Sequence, residues 1–257
     1  MEPRICQREL LIVPIDFMSP CGHLQSWNDC DDKELQDNEF VSCLRRTNIY
    51  RVVLLSHGSD MYCDIQGLRQ FVSRWNPAAY TFFLVWGEVT IMLKDIKRIL
   101  LLPCSGDNDP TAINLTVEEI KWEDALYLGF GAFPNHHTCW VHRSAFVVYW
   151  LSRYAFDETL SYSIKPFLFE LGIKLAQGMS YPLGALCLEN LYIHLNRLHD
   201  DEVEGSLYHV VESSVDVALL QVFVMEHICS FASHAKTSKA VRDKVLRSLG
   251  DEPWSPK

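Results

Sequence analysis

The chain has 257 residues, of which 48% are hydrophobic and 22% are charged, a balance that suits a folded protein with a substantial core and excludes a disordered chain. Its formal charge of −10 argues against extensive contact with a phosphate backbone, which depends on clustered Lys and Arg. The nine cysteines lack CxxC pairs, which favours free thiols in a reducing compartment over a disulfide framework.

Residues 1–31 are punctuated by proline and glycine and predict an irregular arm, either docked or loose. The apolar run at residues 10–15 is broken by Pro14, so it lacks the layout of a signal peptide. No stretch approaches the roughly 18 apolar residues of a membrane-spanning helix. We therefore expect a soluble, intracellular protein.

The first helix is predicted to start at residue 31 or 32 and to run towards Arg46. Residues 48–55 fit either a short buried helix or a strand, because their apolar run is too short to separate the two. A turn rich in Ser, Gly and Asp is predicted at residues 56–60.

Residues 71–103 carry the most specific pattern in the chain, which predicts a helix, a β-hairpin and a helix in succession. Two runs rich in aromatic and β-branched residues, 80–85 and 88–92, predict the two strands. Between them lie Trp86 and Gly87, and a glycine tolerates the positive φ of a tight hairpin turn.

The helices on either side of the hairpin are predicted from apolar spacing and from proline. A segment starting near Ile65 carries a helix into Trp75, and Pro77 prevents it from continuing. Residues 93–100 repeat apolar side chains at helical spacing, and Pro103 ends that helix.

The rest of the chain predicts further helices, the first of which opens with a capping box at Thr116 and Glu119. Apolar stripes place these helices at residues 116–128, 142–154, 164–175, 183–198 and 215–229. We therefore expect a mainly α protein, with a single helical domain over residues 32–231 that contains one short β-hairpin. The arm 1–31 precedes this domain, and a basic tail, residues 232–257, follows it.

Two clusters have metal-ligand residue types but not the required arrangement. Residues 135–142 hold three His and one Cys, without the second pair of ligands that a zinc site needs. Asp107 opens a stretch that mimics a calcium loop, but Ala112 stands where that loop needs glycine. We expect no bound metal.

Glu88 and Asp95 are open to two interpretations. Two carboxylates in one cleft suit acid–base chemistry. Without a nearby His, Lys or nucleophile, structural roles are favoured, with Glu88 at the hairpin end and Asp95 in the first turn of the next helix, where it complements the helix dipole.

The string W-N-P-x-x-Y-T-F-F-L-x-W-G-E-V-T-I-x-L-x-D-I, at residues 75–96, resembles the opening signature of the plant mobile domain. That family is also labelled aminotransferase-like and includes the maintenance-of-meristems proteins and transposon-borne relatives. Residues 142–156, 171–195 and 219–227 resemble its later blocks, in the family's order. The matching positions, for which we expect structural roles, are Trp75, Pro77, Thr81, Phe82, Trp86, Gly87, Glu88, Leu93, Asp95, Trp150, Leu151, Gln221 and Glu226.

The chain departs from the family pattern at two places. Met92 replaces the usual Thr before the helix, which removes a capping hydroxyl at a cost of about 1 kcal/mol. Phe223, Met225 and His227 replace the Trp, Trp and Arg of the last block. The chain therefore resembles a short or divergent member.

The aminotransferase-like label finds no matching chemistry in the sequence. Pyridoxal phosphate needs a Schiff-base Lys and a phosphate cradle. We expect Lys94, Lys97, Lys165 and Lys174 to lie on polar helix faces, and there is no glycine-rich phosphate loop. No cofactor and no enzymatic activity are expected.

The family resemblance implies a nuclear, non-enzymatic protein-interaction module that acts in transposable-element silencing, genome stability and meristem maintenance. It also implies a phosphoprotein-phosphatase-like protein partner. No membrane partner is expected, because the sequence has no apolar stretch long enough to span a membrane. Two alternatives stay open. One is an enzyme of unknown reaction that uses Glu88 and Asp95, and the other is nucleic-acid binding through the basic tail, although the overall charge does not favour it.

Overall fold

The computed structural model describes residues 15–17, 34–56, 64–128, 138–156, 166–204, 211–213 and 215–227. Helices dominate these residues, which confirms the mainly α fold with one small hairpin sheet. The helices are α1 (Asn38–Arg46), α2 (Tyr50–Ser56), α3 (Ile65–Val72), α4 (Leu93–Ile99), α5 (Val117–Leu128), α6 (Thr138–Trp150), α7 (Phe169–Ala176), α8 (Leu183–Glu204) and α9 (Val217–His227). The strands are β1 (Ile15–Phe17), β2 (Trp75–Asn76), β3 (Thr81–Leu84), β4 (Gly87–Val89) and β5 (Val211–Ser213).

Helices α6 and α7 pack closely at the centre of the core. Gly172 of α7 allows this approach, because a Cβ atom there would lie 2.2 Å from Cγ2 of Val148 on α6. Trp150 and Leu151 are buried beside this contact, at 1% and 0% exposure. The apolar stripes of the sequence therefore meet in one continuous core.

The predicted helix into Trp75 is wrong at its end, because α3 stops at Val72 and Trp75 begins strand β2. In the three-stranded antiparallel sheet β2–β3–β4, Trp75 pairs with Phe82. The extended backbone lets the Trp75 ring pack 4.8 Å from that of Phe82, in the core. Tertiary packing has therefore overridden the local helical spacing.

The predicted hairpin is present, with its turn one residue earlier than expected. Leu84 pairs with Gly87, so the two-residue turn is formed by Val85 and Trp86. Gly87 has a φ of +142°, a backbone conformation that only glycine adopts without strain. The strands span fewer residues than the runs predicted, since residues 90–92 leave the sheet towards α4.

Part of the N-terminal arm is a strand, which the sequence did not predict. Ile15 pairs with Val211 and Phe17 with Ser213, so β1 and β5 form a parallel pair between distant parts of the chain. A three-residue strand leaves no periodic pattern, and its partner lies far away in sequence. The rest of residues 1–31 lies outside the described part of the chain.

Other helix boundaries differ from prediction for local reasons. Helix α1 begins at Asn38 because the Asp37 carboxylate accepts hydrogen bonds from the backbone N–H groups of Glu39 and Phe40. The ambiguous residues 48–55 fall mainly in helix α2. The predicted helix 142–154 starts earlier, within α6, and ends in a π-helical turn at Leu151–Ala155. Of the turn predicted at residues 56–60, only Ser56 lies within the described part of the chain.

Candidate interaction surface

The hairpin tip exposes apolar side chains to solvent. We use this name for Phe83, Val85 and Trp86, which are 40%, 96% and 61% exposed. Alternation along β3 turns Phe83 outward while its neighbour Phe82 is fully buried. Trp86, one of the signature residues, lies in the turn beyond β3 and on the surface.

The base of the hairpin is anchored firmly in the core. The Phe82 ring stacks on that of Phe71, with ring centroids 4.0 Å apart, and also packs against Trp75. Across the strands, the Thr81 hydroxyl donates to Glu88 Oε2 at 3.1 Å. The tip therefore projects from a rigid support, which lowers the entropy that a partner must remove on binding.

Beside the hairpin lies an open groove of about 460 Å³. One wall is the exposed side of α8, with Ala185, Leu188, Glu189, Tyr192, Ile193 and Asn196. The opposite wall is formed by Tyr80, just before β3, and by Leu93 at the start of α4. The groove is thus mostly apolar and aromatic, with one carboxylate and one carboxamide.

Hydrogen bonds hold the aromatic walls of the groove in place. The Tyr192 hydroxyl donates to the Ile91 carbonyl at 2.5 Å, and the Thr90 hydroxyl donates to the Tyr80 carbonyl at 2.6 Å. Trp75 Nε1 donates to Asn196 Oδ1 at 2.8 Å. Tyr80 itself has a left-handed backbone, with φ of +54°, so this restraint secures a strained residue.

Glu88 and Asp95 each make local structural contacts. Asp95 is 4% exposed, and its Oδ2 accepts the Met92 backbone N–H at 2.9 Å, which gives one half of a capping box. Its other oxygen, Oδ1, lies 3.5 Å from Nε2 of His227. Glu88 is exposed on the hairpin, and neither carboxylate lines the groove. These contacts favour the structural interpretation of both residues.

The remaining signature residues lie where they connect elements. Gln221 is buried on α9, and its Oε1 accepts the Asp64 backbone N–H at 2.9 Å, just before α3. Glu226 Oε2 lies 3.5 Å from Arg98 Nε on α4. Pro77 opens the turn between β2 and β3. Gln221 therefore links α9 to the residue before α3, and Glu226 links α9 to α4.

The aromatic wall of the groove was missed by sequence reasoning. Tyr192 lies within the helix predicted from the apolar stripe 183–198, and its partner Tyr80 lies far away in sequence. Their ring centroids are 5.4 Å apart. Tyr80 falls inside the quoted signature string, but only the fold shows that the two rings share a groove.

One lysine departs from its predicted environment. Lys174 was expected on a polar helix face, but it is 7% exposed, and its Nζ lies 2.8 Å from both carboxylate oxygens of Glu119. Residues 171–176 of α7 are all buried, so that part of the helix has no polar face. Burial favours a raised pKa for Glu119, but hydrogen bonds from Lys174 and Thr116 hold the pKa below its ordinary value.

Thr116 and Glu119 form the predicted capping box. The Thr116 backbone N–H donates to Glu119 Oε2 at 2.6 Å, and the Glu119 N–H donates to the Thr116 hydroxyl at 3.3 Å. Glu119 therefore has two roles, since it caps α5 and neutralises Lys174. A similar ionic contact joins α6 to α1, where buried Arg143 binds both Asp37 and Glu39.

Two carboxyl groups, one near the C-terminal end of α8 and one at the start of α9, have raised pKa values. Burial raises the pKa of Glu202 to about 7. Burial also raises the pKa of Asp216 to about 6, although the backbone N–H groups of Leu219 and Ala218 act in the opposite direction. Asp216 caps α9, with Leu219 N 2.9 Å from its Oδ1. Both groups bear on the pH dependence of stability.

Within the described ranges, no group of three or more His, Cys, Asp and Glu residues has the arrangement of a metal site. Residues 135–137 of the His-rich cluster fall outside those ranges. None of the described helices is long and apolar enough to cross a membrane. Lys165 and the basic tail, too, are among the residues that the structure does not describe.

Comparison with known proteins gives one finding. The family model of the plant mobile domain matches residues 49–250, which begin directly before α2 and take in the hairpin, the groove and most of the basic tail. Neither a curated protein nor a solved structure matches the chain. Because the matched residues cover well over half of its length, the chain belongs to the plant mobile domain family.

Proposed function

We propose that the chain is a non-enzymatic protein-interaction module of a nuclear complex. The complex acts in transposable-element silencing, genome stability and meristem maintenance, and the partner is a phosphoprotein-phosphatase-like protein. Membership of the plant mobile domain family supports this role, because the resemblance to that family implies a nuclear interaction module with such a partner. The hairpin tip is the proposed binding surface.

The exposed apolar tip is the observation that carries the proposal. A valine at 96% exposure beside a tryptophan at 61% is unfavourable in water. Tryptophan is also the residue most often found as a binding hot spot, worth about 2 kcal/mol or more when truncated. The rigid base of the hairpin presents both side chains without further ordering, which suits a partner-binding role.

The two alternatives gain no specific support. Enzymatic use of Glu88 and Asp95 requires both groups in one cleft, whereas Asp95 is engaged in capping α4 and Glu88 bonds to Thr81. The basic tail proposed for nucleic acid lies outside the described residues.

The test is affinity purification of the tagged full chain from plant nuclei, followed by mass spectrometry. The wild-type chain should recover a phosphatase-like protein, and the double variant Val85→Ser with Trp86→Ser should lose it. The matched control is Val117→Ser with Phe167→Ser, which removes two other exposed apolar side chains, 74% and 61% exposed, from different elements.

Two outcomes would contradict the proposal. One is recovery of the free chain alone from nuclei in which it is abundant. The other is equal recovery of the partner by the tip variant and by the control variant. A fluorescent fusion of the full chain that stays outside the nucleus would exclude the nuclear part.

A further inference from the structure

The groove beside the hairpin has a chemistry of its own, separate from the tip. Its walls combine the rings of Tyr80 and Tyr192 with the aliphatic side chains of Leu93, Leu188 and Ile193. Glu189 adds a carboxylate at the rim, on an exposed position of α8. Tyrosine faces and a carboxylate both attract cations, and apolar walls suit the methylene stem of Lys or Arg.

The acidic character continues along the same face of α8. Glu189, Ile193, Asn196, Asp200 and Glu204 follow one another at spacings of three or four residues, so they share one face of the helix. Glu189, Asp200 and Glu204 are exposed. At a rise of 1.5 Å per residue, Glu189 and Asp200 are about 16 Å apart along the axis.

The charge balance of this helix is strongly one-sided. α8 carries the carboxylates Glu189, Asp200, Asp201 and Glu204, and the Glu202 carboxyl with its raised pKa, against one Arg or Lys residue, Arg197. A partner segment that lies along this face therefore meets apolar side chains and Glu189 at the groove, and the carboxylates of Asp200 and Glu204 beyond it. A basic segment complements this field, and an acidic one is repelled.

Preformed walls support a binding role for the groove. The Tyr192 hydroxyl donates to the Ile91 carbonyl, and Asn196 Oδ1 accepts from Trp75 Nε1. These bonds fix both side chains of α8 against the segment that carries the hairpin. The rim adds exposed apolar area, since Tyr80 and Ile193 are 46% and 41% exposed. The volume of about 460 Å³ accommodates one or two long side chains.

We propose that the groove and the acidic face of α8 bind a basic segment of the partner protein, in which Lys or Arg residues alternate with apolar residues. A cationic side chain enters the groove between Tyr80 and Glu189, and further cations lie over Asp200 and Glu204. This inference rests on the proposed function and specifies the partner's chemistry at a second surface beside the hairpin tip.

The test measures binding of a dye-labelled peptide, fluorescein-Leu-Arg-Leu-Arg-Leu-Arg-Leu-amide, to the full chain by fluorescence anisotropy. The control peptides carry Gln or Glu in place of Arg. The wild-type chain should bind the Arg peptide at least about tenfold more tightly than the Gln peptide. Glu189→Lys should weaken binding severalfold more than Glu118→Lys, a charge reversal at an exposed position of α5.

Ile193→Asp separates groove binding from general attraction to an acidic protein. It adds a negative charge, so general attraction predicts equal or tighter binding of the Arg peptide. Occupation of the groove predicts weaker binding, because the apolar wall is lost. Ile120→Asp, at a position 46% exposed on α5, adds the same charge elsewhere and should not weaken binding.

Three results would overturn the inference. The first is equal binding of the Arg and Gln peptides, and the second is unchanged or tighter binding to Ile193→Asp. The third is binding that appears only after the chain's own basic residues are replaced by Gln, since the groove would then be filled from within. These replacements are at Lys236, Lys239, Arg242, Lys244 and Arg247.

The failure of this inference is distinguishable from the failure of the proposed function. If the tip variant loses its nuclear partner while the peptide ignores the groove, only the groove assignment fails. If no partner is recovered but the Arg peptide still binds the groove variants more weakly than the wild type, the proposed function is wrong. The assignment of the groove as a site for basic segments is then kept.

Discussion

At the scale of single residues, buried charge is the main departure from what the sequence predicts. Lys174 and Glu119 neutralise each other inside the protein, at 2.8 Å from Nζ to both oxygens. Such a pair is costly to break, because either group alone is left as an uncompensated buried charge. Its net value compared with a neutral pair is small.

We therefore expect Lys174→Met to destabilise the protein by about 3 kcal/mol. Adding Glu119→Gln should restore most of this loss, since Gln accepts the Thr116 N–H without a charge. Urea unfolding of the wild type, both single variants and the double variant measures the coupling. A double variant as unstable as the sum of the two single changes would contradict the account of the pair.

Asp216 predicts a specific pH dependence. Burial raises the pKa of this carboxyl to about 6, from an ordinary value of 3.8. Between these values the native state holds a proton that the unfolded state has released, so stability falls as pH rises from about 4 to 6. Above pH 6 the full penalty is present.

Asp216→Asn should remove this penalty while it keeps an oxygen to cap α9. The variant should exceed the wild type by roughly 1 to 3 kcal/mol at pH 8 and nearly equal it at pH 4. Urea unfolding at both pH values provides the measurement, with Asp124→Asn on α5 as the control for the loss of one charge. A difference that is larger at pH 4 than at pH 8 would have the wrong sign.

At the scale of elements, the hairpin-to-helix junction is where this chain departs from its family pattern. Met92 occupies the N-cap of α4 in extended conformation and provides no side-chain hydrogen bond there. The Asp95 carboxylate supplies the reciprocal half of a capping box through the Met92 N–H. The junction therefore keeps one of the two bonds that a Thr at this position would complete.

Met92→Thr should stabilise the protein by about 1 kcal/mol, because its hydroxyl can share the Asp95 backbone N–H, which now donates to the Met92 carbonyl at 2.8 Å. Met92 is 43% exposed, so little packing is lost. Met92→Ala is the matched control, since it removes the side chain without adding a hydroxyl. Equal midpoints for the two variants in urea unfolding would show that the cap is worth nothing here.

The sequence predicts elements well where their cause is local. The Thr116 cap and Gly87 beside the hairpin turn both depend on neighbours a few residues away. Trp75 did not follow its helical spacing, because its ring packs against Phe82 once the strands have paired. The same distinction explains the missed pairing of β1 with β5, which joins Ile15 to Val211, far apart in sequence.

The candidate surface was predictable only in part, for the same reason. Trp86 and Gly87 mark the hairpin in the sequence, but nothing local indicates that Trp86 is exposed while Phe82 is buried. The groove arises where α8 meets the hairpin unit, so its two tyrosines acquire a shared role only in the folded chain.

At the scale of the whole molecule, apolar exposure and negative charge are arranged side by side. The hairpin tip offers apolar side chains on a rigid base, and the neighbouring face of α8 offers carboxylates. Tyr80 connects the two, since it lines the groove and immediately precedes β3. A single partner that covers both parts meets an apolar anchor site and an electrostatic guide.

This arrangement predicts how the association responds to salt. Attraction to the exposed carboxylates of α8 is screened at high ionic strength, whereas burial of the hairpin tip is not. Raising the salt from 50 to 500 mM should therefore slow association with the partner severalfold and leave dissociation nearly unchanged. Surface plasmon resonance separates the two rates. A salt effect confined to dissociation would contradict the electrostatic role of α8.

The most direct measurement of the central claim is the affinity of the purified full chain for the partner recovered from nuclei, by isothermal titration calorimetry. If the hairpin tip is the anchor, Val85→Ser with Trp86→Ser should raise the dissociation constant by at least about tenfold. The control Val117→Ser with Phe167→Ser should leave it unchanged. Equal affinities for the wild type and the tip variant would contradict the claim that this hairpin is the binding element.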